Sequence, residues 1–115
     1  PTPETHGRWM QLGTTAWNNL DSLQDSNKSV IKSAIRHAWG IRKWKNLPPQ
    51  LILTLYKIPT VKSGPKYCLE VRSLGVSRRI YVSYQRSFQR KKIQEQRLYE
   101  ALQSLERALA GKSCQ

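Results

Sequence analysis

Acidic residues are scarce in this chain: 7 Asp plus Glu stand against 20 Lys plus Arg in 115 residues, a formal net charge of +13. Cysteine and histidine are scarcer, with two of each. Cys68 and Cys114 make no disulfide framework, which points to a reduced, intracellular setting without resolving nucleus from cytoplasm. A zinc site would require Cys68, Cys114, His6 and His37 to converge, and no CxxC or HxxxH spacing supports one. No apolar run approaches the roughly 20 residues of a membrane span; the longest, around Leu51–Leu55, has strand length. Pro1–Gly13 carries charges and no apolar signal-peptide core. The chain begins at Pro1 rather than Met, which suggests a segment of a longer protein. What remains is 38% hydrophobic with four Trp, too apolar for a solvated tail and long enough for one domain.

The positive charge is unevenly spread. Pro1–Val30 has two basic residues (Arg8, Lys28) against three acidic ones. Ile31–Thr60 has six basic and no acidic residues, and Val61–Arg90 has seven basic with Glu70 alone opposing them. No carboxylate falls between Asp25 and Glu70. A stretch of this kind forfeits local ion pairs and repels itself, so it calls for a polyanionic partner.

Hydrophobic periodicity predicts an α+β chain. Ala16, Leu20 and Leu23 have helical spacing, which predicts a short helix over Thr14–Gln24; Trp9 and Trp17 would help it dock. Asp25-Ser26-Asn27 reads as a break and N-cap supply. From Lys28, the residues Val30, Ile31, Ala34, Ile35 and Ala38 trace a helical stripe that Gly40 is placed to stop. Lys28, Lys32 and Arg36 recur every four residues beside it. Leu51–Ile58, Lys66–Arg72 and Arg79–Gln85 read as three antiparallel strands, separated by turn signals at Lys62-Ser63-Gly64-Pro65 and Ser73-Leu74-Gly75. A last helix is predicted from about Ser87 to Ala110, with Leu98, Ala101, Leu102, Leu105 and Leu109 buried and Gly111 as its stop. The expected architecture is α-β-β-β-α with a three-stranded antiparallel sheet packed on helices, plus an extra N-terminal helix. Residues 1–25 form the extension and 26–115 the basic domain.

Arg90-Lys91-Lys92 opens the last helix, where the macrodipole is positive and each exposed cation costs ~0.3–1 kcal/mol. Cations beside free backbone N–H groups make an anion site suited to phosphate. With Gly64-Pro65-Lys66-Tyr67 between the first two core strands and Ala101-Leu102-Gln103-Ser104-Leu105 ending the last helix, the chain from about Ser26 to Ala110 resembles the double-stranded RNA-binding domain. It departs from that pattern at Lys66-Tyr67, where the family has a His, and at Gln94 and Arg97. The resemblance implies that the first helix and the Gly-Pro loop enter successive minor grooves of an A-form duplex. The start of the second helix would bridge the intervening phosphates. Carried over, Lys28, Lys32 and Arg36 make the first contact, Gly64, Pro65 and Lys66 the second, and Arg90, Lys91 and Lys92 the third. Structured RNA is the expected partner. A protein partner or self-association through the N-terminal helix is a further expectation, and no membrane contact is expected.

Two alternatives stay open. A three-stranded sheet packed on a helix can also enter a DNA major groove, with Arg72, Arg79 and Tyr81 reading bases and Arg78 and Arg86 holding phosphates. A small basic ribonuclease could use His37 beside Arg36, or Glu70 with Asp25 in a metal nuclease. Trp39 and Trp44 flank a basic segment able to stack bases, although Trp39 also fits the core. The chain has no nucleophile motif and no Gly-rich phosphate loop, so no catalysis and no cofactor are expected.

Overall fold

The computed structural model describes residues 3, 7–42, 50–59, 64–84 and 90–113, with side chains omitted at 90–93 and 112–113. Among them run β1 (Met10–Ala16), α1 (Asp25–Trp39), β2 (Ile52–Ile58), β3 (Lys66–Ser73), β4 (Val76–Ser83) and α2 (Arg90–Ser113). The strands form one antiparallel sheet in the order β1-β2-β3-β4. Both helices contribute to one core on a single sheet face. Ile31 and Ile35 of α1 and Leu102 and Leu105 of α2 meet Leu53, Leu55, Leu69 and Val71 there. The fold is therefore α+β, and the order α1-β2-β3-β4-α2 runs as expected.

The N-terminal helix does not form. Met10–Ala16 instead pairs with β2, from Met10 opposite Lys57 to Ala16 opposite Ile52, with an irregularity between Gln11 and Gly13. Gly13 and the β-branched Thr14 and Thr15 disfavour helix. An unpaired β2 edge offers this segment a ladder of backbone hydrogen bonds, and the Thr14 and Thr54 hydroxyls meet across the pair at 3.0 Å. Leu20 and Leu23 do enter the core, as their spacing suggested, but from a 3-10 turn (Trp17–Asn19) and the loop after it. The sheet thus has four strands rather than three. A docking helix for a protein partner is replaced by a strand built into the sheet, and Trp9 packs on Ile58 and Cys68 instead.

Asp25-Ser26-Asn27 is not a break but the first turn of α1, where the Asp25 carboxylate complements the helix dipole. Gly40 ends α1 as expected. Its N–H bonds the His37 carbonyl at 3.1 Å, and the Ile41 N–H bonds that of Arg36 at 3.1 Å, the paired bonds of a Schellman cap. Gly111 does not stop α2, which continues to Ser113. One exposed glycine costs a helix only about 1 kcal/mol. Leu109 anchors the end of α2 against Gly13 of β1, where an added Cβ would approach its side chain to 3.3 Å.

Tyr67, Cys68, Leu69, Glu70 and Val71 are all buried, so β3 is covered on both faces rather than one. The helices cover Tyr67, Leu69 and Val71; Trp9, Ile58 and Tyr56 enclose Cys68. β4 starts at Val76, earlier than expected, because Leu74 and Gly75 alone make the turn. Ser73 pairs directly with Val76. Among the described residues no helix is long and apolar enough to cross a membrane.

Leu74 and Gly75 both hold positive φ, 51° and 80°. That is the pattern of a two-residue turn that favours Asn-Gly. A leucine in this region costs about 1–2 kcal/mol, and Leu74 is 76% exposed, so little packing opposes its replacement. Leu74→Asn is expected to stabilise the fold by about 0.5–1 kcal/mol in urea titration. A lower midpoint would contradict the turn.

Candidate nucleic-acid interface

α1 carries Lys28, Lys32 and Arg36 at four-residue spacing, all half-buried, so their aliphatic stems lie along the apolar stripe. Lys28 makes no ion pair among the described residues. Arg36 serves the fold itself. Its Nη1 donates to the Arg42 carbonyl at 3.0 Å, holding the segment that leaves the helix cap. Its Nε is buried without an acceptor among the described residues. The basic row therefore divides into two lysines and an arginine that clasps the chain.

The Gly64–Pro65 loop is fastened to α2. The Tyr99 hydroxyl donates to the Pro65 carbonyl at 2.9 Å. The Tyr99 ring meets Tyr67 and Tyr84 edge-on at 5.3 and 5.6 Å between centres. Gly64 adopts φ 87°, and an added Cβ would lie 3.4 Å from Tyr84 Cβ and 3.5 Å from the Tyr99 hydroxyl. The positive φ favours glycine, while a Cβ would make only ordinary van der Waals contact. Lys66 parts from its two neighbours. It alternates with the core-facing Tyr67, and its ammonium lies 6.0 Å from the centre of the Tyr81 ring, on the sheet face away from the helices.

α2 opens at Arg90 with no acidic residue in its first turn. Arg90, Lys91 and Lys92 thus occupy the turn whose backbone N–H groups lack helical partners. Their side chains lie outside the described residues, as do Lys43, Trp44, Lys45, Arg86, His6 and Cys114.

Two carboxylates take up cations of the sheet. Glu106 of α2 accepts from the Tyr67 hydroxyl and, at 3.0 Å, from the Lys57 ammonium. Burial, and then Glu106, push the Tyr67 pKa upward. Glu70, only 5% exposed, lies 3.4 Å from Arg72 and 3.3 Å from Arg79. Arg72, Arg79 and Tyr81 do share the outer sheet face, but Glu70 holds both arginines. Arg78 faces the helix side, with its guanidinium 5.8 Å from the centre of the half-buried Trp39.

The groups considered for catalysis do not assemble. His37 is exposed near the end of α1, while Asp25 opens the same helix. No ion pair or hydrogen bond joins Asp25 to Glu70 among the described residues. Among the described residues no three His, Cys, Asp or Glu side chains gather as metal ligands. Burial pushes the Cys68 thiol up to about 12. Sequence reasoning missed Tyr99 and Glu106 as positioning residues. Tyr99 precedes Leu102 by three, so the buried stripe's own spacing includes it.

Tyr99→Phe keeps the ring contacts and removes the bond to Pro65; it is expected to cost about 1 kcal/mol in chemical denaturation. No change would mean the loop is held by packing alone. The folded chain keeps the Cys68 proton up to about pH 12, against an ordinary value of 9.0. Above about 9 the unfolded chain releases a proton that the folded chain retains, so stability falls as pH rises. Cys68→Ala is expected to flatten that slope; an unchanged slope would exclude Cys68 as a contributor. No family model, curated protein or solved structure matches this chain.

Proposed function

We propose that the chain is a non-catalytic nucleic-acid-binding module that takes double-stranded or structured RNA through phosphate and groove contacts. The observation that carries this reading is the joining of three sequence-distant parts around α2. α1 packs on it, Tyr99 fastens the Gly64–Pro65 loop to it, and its first turn is Arg90-Lys91-Lys92. Glu70 of β3 and Glu106 of α2 pair with sheet cations, so they do not compete with an outside anion for Lys28.

In this reading Lys28 and Lys32 approach one minor groove and Gly64–Pro65 the next. Arg90, Lys91 and Lys92 bridge the phosphates of the major groove between them. Arg36 supports the helix end that presents the two lysines. Lys66 belongs to the opposite face, so the loop contact rests on Gly64 and Pro65. The order α1-β2-β3-β4-α2 supports the likeness to double-stranded RNA-binding domains, to which β1 is an addition.

Insertion of the sheet into a DNA major groove is a weaker alternative. Outer strands of a four-stranded sheet stand about 14 Å apart, whereas the groove is about 12 Å wide. Glu70 also neutralises the arginines such a contact would use.

Lys91→Glu combined with Lys92→Glu tests the reading. Affinity for duplex RNA is expected to fall at least about tenfold at low salt, with the log–log salt slope shallower by about two. Circular dichroism should be unchanged. Wild-type affinity in the folded double variant would remove the phosphate bridge.

A further inference from the structure

The sheet face turned away from the helices has no part in the duplex contact. Cross-strand pairing sets Cys68 beside Tyr81, with Lys66 opposite Ser83 on one side and Glu70 opposite Arg79 on the other. Tyr81 stands directly across from Cys68 in the register, and the residue is 41% exposed. Trp9 buttresses this ring at 6.0 Å between centres and 57° between planes. Lys66 places its ammonium 6.0 Å from the ring centre.

A half-exposed, buttressed aromatic ring with a lysine ammonium over it can stack a base whose π-face is free once that ammonium moves to a phosphate. A paired base offers no such face, so the fitting ligand is unpaired. The apolar groups nearest the ring, Ile58 and Cys68, are buried in a cluster with Trp9. We propose that this outer face binds single-stranded nucleic acid, with a base stacked on Tyr81 and an adjoining phosphate held by Lys66. The inference rests on the nucleic-acid reading but uses a different face and different residues.

Fluorescence anisotropy with two probes separates the two: oligouridine of about ten nucleotides, and a blunt RNA duplex of about 16 base pairs. Tyr81→Ala is expected to weaken oligouridine about tenfold or more and leave the duplex within about twofold. Tyr81→Phe, which retains the ring, should bind both like the wild type. Equal oligouridine affinity in wild type and folded Tyr81→Ala overturns the proposal, as does a wild type that binds the duplex but not oligouridine. A wild type that binds neither overturns the duplex reading as well. Photocrosslinking of 4-thiouridine-containing oligouridine to the wild-type chain needs no variant to fold. Adducts are expected on β4 around Tyr81, and adducts confined to α1 and α2 would overturn the proposal.

Discussion

The hydrogen-bonded seam between α2 and the sheet is the constraint on which the rest of the structure depends. Apolar burial of Leu102, Leu105 and Leu109 draws the helix down but does not fix its rotation or its height along the sheet. Directional bonds supply that: Glu106 accepts from the Tyr67 hydroxyl and the Lys57 ammonium, and Tyr99 donates to the Pro65 carbonyl. Both are partly shielded from water, where a missing partner costs more than the bond itself contributes. Once the seam is set, the Gly64–Pro65 loop and the basic opening of α2 belong to one frame.

The same seam organises the charge. With so few acids, each placement matters, and Glu70 and Glu106 both lie against the sheet. They match Lys57, Arg72 and Arg79, and among the described residues neither pairs with Lys28. Cations at a helix N-terminus work against the local dipole. A phosphate drawn to that turn would reverse the penalty, since it meets backbone N–H groups and side-chain cations together.

The parts of the fold that were legible in the sequence are those whose pattern is local. Alternation in Lys66–Val71 and the leucine stripe of α2 each specify an element from neighbouring residues. β1 was not legible because its hydrogen bonds go to a strand distant in sequence. Its Gly13 and threonines carry little hydrophobic signal, while Ala16, Leu20 and Leu23 imitate helical spacing in a turn and a loop. At the candidate site, the lysine spacing of α1 and the Gly-Pro pair could be read directly. The clasp made by Arg36, the Tyr99 bond and the passage of Lys66 to the far face depend on packing between distant elements, and no local pattern encodes them.

On the proposed reading, the helical side of the molecule binds an A-form duplex. Competition at one fixed salt concentration tests it most directly, with labelled duplex RNA displaced by unlabelled duplex RNA, duplex DNA or single-stranded RNA of equal length. Duplex RNA is predicted to displace the label best, with little dependence on its sequence. Duplex DNA competing equally well or better, in a sequence-dependent manner, would contradict the account.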